Sequence, residues 1–172
     1  MSDRNAVEAV PDGYTTITPW IIGSDTAGLI DYLVRAFDAE DLGRFVLEDG
    51  TVGHAGLRIG NGRLMAFDRP PDWEPTPAFV RLYVEDAEAV HRRAVEAGGT
   101  SVTEVTHLFF GDKVGRVRDP FGNLWWIQTH IEDVDEEEMG RRLTDPVFTR
   151  AMEYVSGALY EPQRREPPAT PS

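Results

Sequence analysis

The sequence predicts an α+β domain built from two β-α-β-β-β modules in tandem. Three observations support this. Short runs rich in branched and aromatic residues are interspersed with segments of helical periodicity. The order strand, helix, three strands occurs twice, and one offset superposes the two occurrences. Adding 61 takes Asp25 to Asp86, Leu29 to Val90, Leu33 to Ala94, Val34 to Val95 and Ala36 to Ala97. The same 61 takes Met65 to Trp126 at the far end of the module. One offset serving both a helix and a distant strand argues for internal duplication.

The elements follow in order. Residues 1–13 are polar and aperiodic, a flexible arm. Residues 14–22 form a first strand, which Pro19 places at an edge or makes irregular because it has no amide hydrogen. Ser24 or Asp25 caps a helix whose Leu29, Ile30, Leu33, Ala36 and Phe37 recur at helical spacing. Strands near 43–48, 52–59 and 63–68 come next, the last two joined by the tight turn Gly60-Asn61-Gly62. The linker from Arg69 to Pro77 is proline-dense and stiff.

The second module opens with a strand at 78–85. Asp86 caps a helix running to Ala97, which Gly98-Gly99 ends. Strands near 101–109, 113–118 and 124–131 complete the set, with a turn at Asp119-Pro120-Phe121-Gly122-Asn123 in which Asp119 can accept backbone donors. The two modules thus span 14–70 and 77–133 of a domain at 14–133. The acidic run Glu132 to Glu138 leads into a short helix at 139–143, its acidic start suiting the positive end of a helix dipole. Val147, Ala151, Tyr154, Val155 and Ala158 mark a further helix over 146–160, expected to pack on the domain or on a second subunit. The extension is bounded at 134–160, and the Pro-rich segment 161–172 reads as a disordered tail.

Composition narrows the function classes. With 17 basic against 30 acidic residues the formal charge is -13, a field that repels phosphate backbones and anionic membranes. Neither nucleic acid nor membrane is an expected partner. There is no cysteine, so disulfides, thiol catalysis and thiolate metal sites are excluded. The first ten residues show no basic segment followed by an apolar core, and the cytoplasm is the expected compartment. No phosphate loop and no Gly-x-Ser-x-Gly nucleophile elbow is present.

Strand alternation sorts the side chains onto two faces. Val80, Leu82 and Val84 oppose Phe79, Arg81 and Tyr83. Trp125 and Ile127 oppose Leu124, Trp126, Gln128 and His130. Leu64 and Ala66 oppose Arg63, Met65 and Phe67, while Ile17 and Ile21 oppose Thr18, Trp20 and Ile22. One face is therefore aliphatic, as expected under two covering helices. The other mixes large aromatics with Arg and Gln, a surface suited to a ligand cleft or to an interface. Arg81, pointing into that face, needs an anion, a stacking partner, water or an internal ion pair. Of the four histidines, His91 reads as a surface residue beside Arg92 and Arg93. His54, His107 and His130 are candidate acid–base groups or structural residues. No two histidines have helical i, i+4 ligand spacing.

The repeated order, together with Gly115-Arg-Val-Arg-Asp-Pro-Phe-Gly-Asn-Leu-Trp-Trp-Ile127, resembles the vicinal-oxygen-chelate (glyoxalase/bleomycin-resistance/dioxygenase) superfamily. Within it the PhnB-like branch is similar in its opening Ile17-Thr-Pro-Trp-Ile21, its helix Ile30-Asp-Tyr-Leu-Val-Arg-Ala-Phe37 and its His54-Ala-Gly-Leu-Arg-Ile-Gly60. The resemblance covers residues 14–131 and implies paired modules forming a curved mixed-sheet cup with helices on the outer face. It also implies that the metal-ligand places of metal-using members fall on Thr18, Met65, Phe79 and Trp126. These do not supply the hard donors a catalytic divalent cation needs. No metal and no cofactor are therefore expected.

The expected function is metal-independent binding of an antibiotic or specialised metabolite by a homodimer. Trp20, Met65, Phe67, Phe79, Tyr83 and Trp126 would line the cleft, and Arg81, Gln128 and His54 would orient polar groups. One alternative is a metal-free isomerase, cyclase or lyase using His54, His107 or His130. A metal-dependent lyase or dioxygenase would follow if the ligand places are misassigned. A third reading is an interaction module whose cup is filled by a partner or by its own C-terminal helices.

Overall fold

The structure is a computed structural model describing residues 7–158. The expectations for the start of the arm and for the tail lie outside the described residues. The first module comprises β1 (Trp20–Gly23), α1 (Thr26–Phe37), β2 (Glu40–Val46), β3 (Val52–Ile59) and β4 (Gly62–Asp68). The second comprises β5 (Phe79–Tyr83), α2 (Ala87–Glu96), β6 (Thr100–His107), β7 (Asp112–Arg118) and β8 (Leu124–His130). Two helices follow, α3 (Glu136–Arg142) and α4 (Pro146–Gly157). Each module makes a four-stranded mixed sheet, β1-β4-β3-β2 and β5-β8-β7-β6, whose first two strands run parallel.

The repeat extends to the hydrogen-bond register. Trp20 pairs with Met65 and Ile21 with Ala66, while 61 residues later Arg81 pairs with Trp126 and Leu82 with Ile127. Over the next two strands the offset is 60, so that Glu40 opposite Arg58 becomes Thr100 opposite Arg118. The residue is dropped between helix and strand, where Asp38 (φ 53) stands in the place of Gly98 (φ 117). It is regained in the turn between β7 and β8. Asp25 and Asp86 cap their helices alike, accepting from Gly28 N at 2.8 Å and Ala89 N at 2.9 Å. Such a cap contributes about 1 kcal/mol.

The modules meet through their helices. α1 covers one face of its sheet, α2 covers the equivalent face of the other, and one core runs through both, from Ile21, Leu33 and Leu57 to Val117, Trp125 and Ile127. Trp125 lies 4.8 Å from Phe37 between ring centroids and donates its Nε1–H to Asp119 at 2.9 Å. Asp119 also accepts from the amides of Phe121 and Asn123, which holds the expected turn closed. Tyr32 of α1 donates to the Ala94 carbonyl of α2 at 3.2 Å. A Cβ on Gly99 would stand 2.7 Å from the Tyr32 hydroxyl and 2.5 Å from Val117, so close approach of the modules requires glycine there.

Three expectations need correction. The first strand begins at Trp20, not at residue 14, and Ile17 is 80% exposed rather than facing the helix. Pro19 contributes only its carbonyl, to Met65 N, so the ladder cannot extend through it. His91 is buried, not a surface residue: its Nε2 lies 3.1 Å from both Thr103 O and Ser101 Oγ, because its helix face turns toward β6. The helix expected at 139–143 starts at Glu136, since Asp135 caps it by accepting from Glu138 N.

The last helix packs within the domain. Ala151, Tyr154 and Val155 of α4 pack against Val114 of β7 and Leu108, and Ala158 packs against Leu124 with Trp126 beside it. Tyr154 Oη accepts from Glu104 N at 2.9 Å. α4 therefore lies on the second sheet, on the face away from α2.

Candidate functional site

The faces opposite the helices carry the expected site residues, in two groups. On the first sheet Trp20 is central. Its ring meets Phe67 edge-on at 5.2 Å and His54 at 5.8 Å, and Phe67 meets Trp73 of the linker at 6.2 Å. Met65 is the cross-strand neighbour of Trp20. Trp20 and Trp73 are each about half exposed, so this aromatic cluster opens to solvent. Trp73 was not among the expected residues; a tryptophan inside a Pro-rich linker was the available signal.

On the second sheet one row crosses four strands: Arg81, Trp126, Arg116 and Thr103 are successive cross-strand partners. The Arg116 guanidinium lies 3.9 Å and that of Arg81 5.4 Å from the Trp126 ring centroid. Arg116 is buried beneath α4 and donates from Nη1 to the Val155 carbonyl. Burial, with the like charge of Arg81 added, lowers its pKa to about 10. Arg116 was missed, although alternation along 112–118 sets Asp112, Val114, Arg116 and Arg118 on one face.

The next row pairs Tyr83 with Gln128 and Gln128 with Val114. Gln128 Nε2 donates to the Tyr83 hydroxyl at 3.2 Å and to buried Asp112. Asp112 in turn holds His130 Nδ1 at 2.6 Å, and Asp133 lies 3.1 Å from the ring's other nitrogen. These carboxylates, Asp112 first, raise the His130 pKa above its ordinary value. Phe79 and Tyr83 remain 66% and 63% exposed along the outer strand of the sheet. A groove of about 870 Å³ between the modules is lined in part by Arg81 and Tyr83.

His107 stands apart from both groups. It bonds Glu132 at 3.0 Å and meets the Phe148 ring at 5.4 Å. Arg142 grips Glu132 with two nitrogens and Glu138 with a third. Arg142 is the first cause, and His107 a further one, that holds the Glu132 carboxyl below the usual range. This cluster fastens α3 and α4 to the end of the second sheet.

The donor set does not fit a catalytic metal. Register places Trp20 beside Met65 and Arg81 beside Trp126, while Thr18 precedes β1 and Phe79 pairs with Leu124. Thioether, indole and guanidinium groups are poor partners for a hard divalent cation. Among the described residues, no three His, Asp or Glu side chains are grouped to hold a metal ion. Among them also, no helix is long and apolar enough to cross a membrane.

Two β-α-β-β-β modules in register, packed through their helices and each leaving the other face of its sheet open, define a two-module α+β protein with cup-like sheets. The family model of the Glyoxalase/Bleomycin resistance protein/Dioxygenase superfamily matches residues 14–127, and the chain belongs to that superfamily. An uncharacterized protein of Mycobacterium tuberculosis is 35% identical over 148 residues, 80% of this chain and 85% of the relative. Among solved structures, TioX from Micromonospora sp. ML1 is 27% identical with a TM-score of 0.59, over 68% of this chain and 99% of that one. A PhnB protein from Bacillus cereus shares the fold at 19% identity and a TM-score of 0.54, over 69% of this chain and 100% of that one.

Proposed function

We propose that this protein binds a planar or amphipathic small molecule, an antibiotic or specialised metabolite, without a metal, and that it does so as a homodimer. The observation that supports the reading best is the row in which aromatic, thioether and guanidinium groups occupy the sheet face: Trp20 and Met65 on one module, Arg81 and Trp126 on the other. Such groups hold flat ligands by stacking, each aromatic pair adding about 1 kcal/mol beyond burial. Within one chain the two groups lie on separate sheets and stay open, with Trp20, Phe79 and Tyr83 about half exposed or more. A second copy laid over these faces would enclose them, which favours the dimer.

The test is a panel of planar antibiotics titrated against tryptophan fluorescence, with sedimentation to follow assembly. Trp126→Ala should weaken the best binder more than tenfold. Unchanged affinity would remove Trp126 from the site.

The Asp112–His130 pair favours a second reading, a metal-free isomerase, cyclase or lyase. A buried carboxylate orients an exposed imidazole, and Gln128 and Tyr83 adjoin it. With Asp133 on the other ring nitrogen, both nitrogens face carboxylates and the ring is held as the imidazolium, the geometry of a general acid. It predicts a pH–rate profile lost in His130→Ala, and turnover that survives replacement of His54, His107 and His130 together would end it.

A further inference from the structure

We propose that Arg81 and Arg116, flanking Trp126, form a carboxylate-binding site on the second sheet, on whose open side an aromatic carboxylate can stack. The inference rests on the small-molecule reading above and names the chemical class of the ligand.

The argument begins with unsatisfied donors. Arg116 Nε and Trp126 Nε1 are both buried with no acceptor among the described residues. A buried cation is stable only when paired or hydrogen-bonded, and a lost partner leaves a cost of several kcal/mol. Here the compensation is partial. Nη1 meets the Val155 carbonyl in the last turn of α4, so the negative end of that helix faces the guanidinium, and the Trp126 ring supplies its π face. Arg81 aggravates the imbalance, because its like charge acts on Arg116.

Burial sets Arg116 apart. Acidic residues outnumber basic ones 30 to 17, and several arginines pair with them, Arg142 with Glu132 and Glu138, Arg93 with Asp38, Arg58 with Glu40. Of the described arginines that meet no acid, Arg116 alone is buried. Among the described residues, no acid reaches Arg81 or Arg116. Two cations beside an indole whose N–H also lacks an acceptor suit a planar monoanion. A guanidinium binds a carboxylate through two parallel N–H bonds, and exposed Phe79 and Tyr83 border the row for an aromatic body. The strongly acidic chain disfavours polyanions at the same place.

The carboxylate has two possible sources, a free ligand or the chain itself. Ala158 packs beside Trp126, and the following residues include Glu161 and Glu166. The experiment therefore uses the full chain and its Glu161→Gln/Glu166→Gln form, each titrated with 2-naphthoate and with uncharged 2-naphthamide. Nitrogen-15 spectra follow the Trp126 indole N–H and the Arg116 Nε–H, assigned through Trp126→Phe and Arg116→Met. The expected result is naphthoate binding at least tenfold tighter than the amide, moving both signals. Arg81→Gln, an exposed change that leaves the core intact, should then weaken it at least tenfold, as should Arg116→Met. Binding seen only in the double glutamine form also supports the site and assigns its occupant to the chain's own glutamates. Equal response to acid and amide in both forms overturns the carboxylate site while leaving stacking on Trp126 in place. Silence of both signals toward both probes, in both forms, overturns the site.

Discussion

The two modules share a backbone and differ in what they place on it. In the first, the row across the open face reads Trp20, Met65, Gly56, Gly43; in the second, Arg81, Trp126, Arg116, Thr103. Caps, strand pairing and the helix-facing residues repeat, because each helix must be capped and each sheet must bury one face against it. The opposite face carries no such obligation, so it diverged. The first module leaves small residues and exposed aromatics. The second carries two cations and is partly roofed by α4. The two modules thus keep a common packing surface and differ on the open one.

The largest effect should come from the element the modules share. Trp125→Ala removes the side chain that joins Phe37 to the Asp119 turn, and is expected to cost about 3–5 kcal/mol. Urea unfolding should show one transition. Two separate transitions would mean that the modules fold independently and that the common core does not couple them.

A smaller contrast lies in the glycines. Gly99→Ala puts a Cβ against Tyr32 and Val117 and should cost about 1–3 kcal/mol. Gly56→Ala, where the nearest atom would be 3.7 Å away, should stay within about 0.5 kcal/mol. Equal costs would show that the close helix contact is not what requires glycine. Arg116→Met tests the difference between rows. Removing a cation that is buried with incomplete compensation should raise stability by about 1 kcal/mol or more in ligand-free protein. A loss instead would show that the Val155 carbonyl and the indole satisfy it fully.

The smallest effect concerns pH. His130 has a raised pKa, so its protonated form is favoured in the folded state. Its contribution is fully present below the unfolded value of about 6.5 and is lost as pH rises through the higher folded value. The stability difference between the natural chain and His130→Gln should therefore shrink as pH rises past about 6.5. A difference that grew instead would contradict the Asp112 pairing.

Much of this was legible beforehand. Asp25 and Asp86 were readable as caps, the 61-residue offset exposed the repeat, and alternation set Trp126 and Gln128 opposite Trp125 and Ile127. The same alternation applied to β7 would have found Arg116 and Asp112. His91 escaped because its neighbours Arg92 and Arg93 suggested a wet surface, while its own direction turned inward toward Thr103. The pairing of His107 with Glu132 and Phe148 could not be read, since it joins groups far apart in the chain.

The sequence by itself determined the α+β class, the two modules and the helix-facing core, because these follow from local periodicity and from caps only a few residues long. Only the tertiary structure decided that α4 lies on the second sheet, that Arg116 is buried beside it, and that Trp20 and Trp126 stand on separate faces. Those outcomes depend on which distant surfaces meet, and a linear pattern states what each segment must bury without stating against what.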